Sequence, residues 1–191
     1  MKNDISRLIK TAHQNAIDKG FWPEGIKNDY GHKDQTLFLI ITELSEAVEA
    51  LRKGRLANKM KFDNCNTEEN FVSCFKDYIK DSLEDEFADA FIRMCDFAGA
   101  YDAKPTVIKK YFEAECEALA GIKITNITSH VLTISKTVMD IKYYPWTAQY
   151  LGEAMAKIYH FMQSTGKDLL WYVEMKMKYN SHREHKHGKA F

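Results

Sequence analysis

A chain of 191 residues is long enough for one sizeable core, so a single domain is expected over residues 1–191. Hydrophobic residues at 45% and charged residues at 28% make an ordinary globular composition and exclude a disordered chain. The 27 basic residues are matched by 27 acidic ones, so the surplus of a general nucleic-acid binder is missing, and any bound phosphate is expected in a local site.

Three prolines and nine glycines punctuate the chain, and the apolar residues between them recur at helical spacing, which predicts an all-α helical bundle. A first helix is expected from about Asp4 to Lys19, burying Ile5, Leu8, Ile9, Ala12 and Ala16 and ending at Gly20. Lys10, His13 and Asp18 interrupt this segment, so it is read as neither signal peptide nor membrane span, and a cytoplasmic protein with no membrane partner is expected. Phe21-Trp22-Pro23 opens a loop. A second helix is predicted from about Thr36 to Lys53, closed by Gly54, and a third from about Asp77 to Tyr101, after a polar stretch around Asn64 to Asn70.

Pro105 suits the first turn of a fourth helix that runs to Leu119 and is ended by Gly121. Thr128 or Ser129 is positioned to cap a fifth helix reaching Ile141, although the β-branched residues around Ile122 to Val138 leave a short strand as the alternative. Tyr143-Tyr144-Pro145-Trp146 breaks the pattern before a sixth helix to about Met162, and Gly166 precedes a last helix through Tyr179. Cys65, Cys74, Cys95 and Cys116 form no Cys-x-x-Cys pair and no metal spacing with histidine, so four reduced thiols are expected.

Two of these helices carry acidic residues where apolar ones surround them. On the second, Leu37, Ile40, Ile41, Leu44, Val48 and Leu51 form the core stripe, while Glu43 and Glu46 lie beside Leu39, Ala47 and Ala50. Glu49, by contrast, keeps company with Arg52 and Lys53, as a solvated glutamate should. The third helix leaves only a narrow polar seam of Ser82, Glu86, Asp89, Arg93 and Asp96. Each helix thus carries two carboxylates three residues apart, and both pairs are expected to be enclosed.

Enclosed carboxylates repel one another and lose hydration, at a cost of roughly several kcal/mol per uncompensated ion, unless cations neutralise them. A hard divalent ion held by Glu43, Glu46, Glu86 and Asp89 answers that need, and oxygen-only ligands favour magnesium, manganese or calcium over zinc. Acidic pairs on helices are also common on plain solvated faces, and Arg93 could tie up Asp89 or Asp96 within its own helix, leaving Asp96 as a supporting residue.

Glu43-Leu-Ser-Glu46 followed by Glu86-Phe-Ala-Asp89 resembles the paired Glu-x-x-Glu and Glu-x-x-Asp signature of MazG-like nucleotide pyrophosphohydrolases. The carboxyl end, Lys176-Met-Lys-Tyr-Asn180-Ser-His-Arg183 and then His187-Gly-Lys-Ala-Phe191, is similar to the tail of smaller members of that family, and the first helix ending in Gly20-Phe21-Trp22 has its look. The resemblance covers roughly residues 5–54, 79–102 and 160–191. It does not cover about 103–159, read here as a helical insertion within the domain.

The resemblance implies an all-α nucleoside triphosphate pyrophosphatase fold, commonly a homo-oligomer, and Mg²⁺-dependent hydrolysis of a nucleoside triphosphate to the monophosphate and pyrophosphate, with Mn²⁺ as a substitute. It implies Glu43, Glu46, Glu86 and Asp89 as metal-holding and catalytic residues; Glu46 is chosen here as the one that orients the attacking water, although no motif distinguishes a base from a ligand. Lys176, Asn180 and Arg183 recur at helical spacing and offer an ammonium, an amide and a guanidinium to phosphate oxygens. Lys189 is placed to join them, and Phe21 and Trp22 to stack on a base, although aromatic rings are as readily core residues. Two rival readings stand beside this one. A di-iron oxidase bundle needs two Glu-x-x-His pairs, and only Glu184 to His187 fits, whereas a non-catalytic module would use the acidic seam as an ion-pair network for oligomerisation or nucleotide binding.

Overall fold

The computed structural model describes residues 4–185, which form nine α-helices and no strand. In chain order these are α1 (Asp4–Asp18), α2 (Tyr30–Arg52), α3 (Lys59–Cys65), α4 (Phe71–Tyr78), α5 (Leu83–Ala100), α6 (Pro105–Leu119), α7 (Ile127–Tyr143), α8 (Thr147–Ser164) and α9 (Leu169–Ser181). The all-helical class follows from the apolar spacing, and residues such as Leu8, Ile40, Leu44 and Met94 point into one core.

Local capping moved several boundaries. α2 begins at Tyr30 rather than near Thr36 because the Asp29 carboxylate accepts the Gly31 N–H and starts the helix earlier. The single helix expected over Asp77–Tyr101 is two: Asp81 takes a left-handed conformation at φ 58°, and Ser82 caps α5 by accepting the Asp85 N–H. Residues 127–143 form a helix and not the alternative strand, since Asn126 accepts the Ser129 N–H and Val131, Ile134, Val138 and Ile141 are buried at helical spacing.

The sequence reading missed α3, and took α4 for loop and helix start. Both are short, and their stability comes from an aromatic cluster: Phe62 meets Trp171 of α9 at 5.5 Å between ring centroids, and Phe75 stacks on Tyr179 at 4.5 Å. The turn between them brings Cys65 and Cys74 together as a disulfide, Cα atoms 6.2 Å apart, which corrects the expectation of four reduced thiols. Cys95 and Cys116 are free thiols.

α5 is the hub, packing on α1, α2, α8 and α9. Residues 103–159 supply α6, α7 and most of α8. α8 lies between α6 and α7 and also touches α5, while α7 packs on α2, so Ile108, Val138, Leu151 and Met155 share a core with the rest. Gly152 sets the α6–α8 distance: a Cβ there would sit 2.5 Å from the Ile108 carbonyl oxygen and 2.9 Å from the Phe112 nitrogen. Among the described residues no helix is long and apolar enough to cross a membrane.

Candidate metal centre

Packing α2 against α5 joins the two acidic pairs. Glu43 and Glu86 are each 5% exposed and Asp89 is half-buried, and one carboxylate oxygen from each of the three lies within 4.8 Å of the others. Glu46 differs from expectation. It lies on the exposed side of α2, because three residues along a helix is about 60° short of a full turn, yet it lines the same cleft. That cleft, about 730 Å³ in volume, is walled by α1, α2, α5 and α9 and also receives Phe21, Trp22, Lys176, Asn180 and Arg183.

Two cations already lean on the acids. Arg93 does not bond within α5 to Asp89 or Asp96, as its spacing allowed; its Nε reaches across to Glu43 Oε1 at 2.5 Å. Lys176 is 4% exposed, and its ammonium lies 2.7 Å from Asp85 Oδ2 and 2.8 Å from Asp89 Oδ2. The lysine read as phosphate-facing is therefore bonded to carboxylates at the wall of the cleft. Asn180 lines the same wall, its Oδ1 buried without a hydrogen-bond partner among the described residues. Lys189 and His187 lie outside the described residues.

Trp22 is held by Asp96: its indole N–H donates to both carboxylate oxygens, at 2.9 and 3.1 Å, and His13 Nδ1 lies 2.8 Å from Oδ1. The rings of His13, His32 and Tyr101 meet the indole edge-on. Asp96 thus orients an aromatic wall and is turned away from the acidic triad's role. Phe21 sits beside Trp22 at the same end of the cleft.

Burial and crowding set the proton balance. Burial, aided by the charges of Asp85 and Asp89 and opposed by Lys176, pushes the Glu86 carboxyl up to about 9. Burial likewise raises Asp85 to about 6 against the pull of Lys176, and raises Glu43, with Asp89 adding and Arg93 opposing. At Asp89 burial is again the largest influence and acts upward, but Lys176 and Arg93 together outweigh it, and this carboxyl stays below its ordinary range. Arg93 and Lys176 thus offset part of the cluster's charge, and burial favours the protonated form of Glu86.

The Glu86 carboxyl lines the cleft and makes no hydrogen bond or ion pair with any described residue. An all-oxygen donor set with one such orphan suits a hard divalent ion. A second group, Asp81, Asp85 and Glu86, also lies within 4.8 Å, but Lys80 and Arg55 flank Asp81 at 2.5 and 3.8 Å and neutralise it. Asp85 was not among the residues singled out from the sequence. Its signal was there, since Ser82-Leu83-Glu84-Asp85 has capping-box spacing, but that pattern marks a helix start and says nothing of a buried lysine.

Comparison of the chain with family models, with curated proteins and with solved structures finds no match. Fold and site together define an all-helical bundle with an acidic cluster spaced to take a metal ion.

Proposed function

We propose that this protein is a Mg²⁺-dependent nucleoside triphosphate pyrophosphohydrolase, with Mn²⁺ able to substitute. The observation that carries the reading is the convergence, in one cleft, of the Glu43–Glu86–Asp89 triad with Asn180 of α9, Arg183 just beyond that helix and an aromatic wall at Trp22. A triphosphate needs charge compensation along its chain and an apolar surface for its base, and the cleft offers both.

Glu43, Glu86 and Asp89 would hold the ion, with Glu46 at the rim. When bound, the ion offsets phosphate charge and lowers the pKa of a water. Glu46 orients the attacking water towards the α-phosphorus; the water oxygen bonds to Pα as the bond from Pα to the bridging oxygen breaks, the bridging oxygen leaves with pyrophosphate, a proton of the water passes to solvent, and the monophosphate remains. Arg183 and Asn180 position phosphate oxygens, Lys176 holds Asp89 in place, and Phe21 and Trp22 cover the base.

The non-catalytic alternative is favoured by one observation: Arg93–Glu43 and Lys176–Asp89 are complete ion pairs that stabilise the seam without any ion. Pyrophosphate release separates the two readings. We expect it from at least one member of a panel of ribo- and deoxynucleoside triphosphates, dependent on Mg²⁺ and abolished in Glu43→Ala. No release from any member, or release unaffected by chelation, would select against the hydrolase.

A further inference from the structure

We infer that Arg93 is an exchanging residue, which bonds to Glu43 as the structure shows and passes to a phosphate group when a triphosphate enters, so that metal and triphosphate bind cooperatively. The inference rests on the proposed function and deepens it. Arg93 lies on α5 one turn beyond Asp89 and lines the cleft. It spends a single donor, Nε, on Glu43 Oε1, and neither Nη1 nor Nη2 bonds to any described residue. A guanidinium presents five N–H donors in a planar fork matched to phosphate oxygens, so most of its capacity is unused by the described residues.

Glu43 belongs to the triad whose oxygens converge, and Arg93 occupies one of its lone pairs. A divalent ion arriving alone takes over Glu43 but leaves the arginine facing a second cation in a confined space. A triphosphate arriving alone draws the guanidinium away and leaves a buried carboxylate uncompensated. When both arrive, each charge finds a partner: Glu43 the metal, Arg93 a phosphate oxygen. Each ligand thereby tightens the other, and by linkage the effect is reciprocal.

A fixed Arg93 charge would give Arg93→Gln the same pair of shifts by Coulombic attraction and repulsion alone, so the decisive comparison on the 191-residue chain is Arg93→Lys, for which a fixed charge predicts no change in either affinity. Mn²⁺ affinity is measured by electron paramagnetic resonance without nucleotide, and the α,β-methylene analogues of the four common deoxynucleoside triphosphates are bound at saturating Mn²⁺. Arg93→Gln should bind Mn²⁺ alone about tenfold more tightly than the wild type and the analogue about tenfold more weakly, the scale of one charged hydrogen bond. Arg93→Lys, which keeps the charge but loses the fork, should hold Mn²⁺ near the wild-type affinity and still weaken the analogue; it serves equally where the glutamine variant does not fold. Shifts in the same direction, or none, overturn the exchange while leaving the hydrolase reading intact. Absence of Mn²⁺ binding by every protein, with or without the analogue, overturns the metal-dependent function itself.

Discussion

The Glu86 carboxyl is pushed to about 9, against an ordinary value of 4.5, by burial first and by Asp85 and Asp89 next. The folded protein therefore holds a proton that the unfolded chain releases near 4.5. Its contribution to stability is fully present below that value and is lost as pH rises towards 9. Asp85, raised to about 6, acts in the same direction. Asp89, held below its ordinary 3.8, works oppositely and only in acid, its contribution being lost as pH falls through its folded pKa. We predict that the melting temperature in chelator falls from pH 5 to pH 9, that Mg²⁺ raises it most at the alkaline end, and that Glu86→Gln, which imitates the protonated acid, flattens the profile and removes turnover. Melting curves with and without Mg²⁺ check this, and a flat wild-type profile would show that Glu86 titrates normally.

At the scale of elements, the site depends on how closely helices approach. α5 supplies Glu86, Asp89 and Arg93 because it is packed on four other helices, and its polar seam survives only where the α2, α1 and α9 walls leave a cleft. The α6–α8 contact shows how little slack the bundle has. Gly152→Ala would place a methyl group against backbone atoms of α6, which cannot rotate aside, and should cost about 1–3 kcal/mol as an overpacked site. Urea denaturation measures it. Since the contact is remote from the acidic triad in sequence and in element, Mn²⁺ affinity of the folded variant should stay at the wild-type level.

At the scale of the whole molecule, Leu132, Met139 and Tyr143 share one face of α7 with the exposed Lys136, and among the described residues they are 66%, 40% and 66% exposed. The homo-oligomer that the sequence resemblance implies is put to the test at this face. Light scattering should then give at least twice the 22.2 kDa chain mass, and Leu132→Asp with Met139→Asp should return it to one chain. A wild-type mass of 22.2 kDa would exclude the homo-oligomer.

Periodicity alone was enough for the helical class, for the core faces of α2 and α5 and for the acidic pairs on them, because spacing along a helix determines which side chains share a face. Caps could have been read at Asp29 and Ser82 but compete with many similar patterns, which is why α2 started late and α4 and α5 were merged. Short helices such as α3 owe their existence to Phe62, Phe75 and the rings of α9, partners more than a hundred residues away from Phe62 in the chain. The same distance hid the site's electrostatics. That Lys176 meets Asp85 and Asp89, that Arg93 crosses to Glu43, and that Glu46 stays at the rim are consequences of helix packing, which joins residues 50 and 91 positions apart. Sequence determined which charges this protein carries on which helical faces; only the tertiary structure decided which of them meet, because Coulombic and hydrogen-bonding energies depend on distances that chain order does not contain.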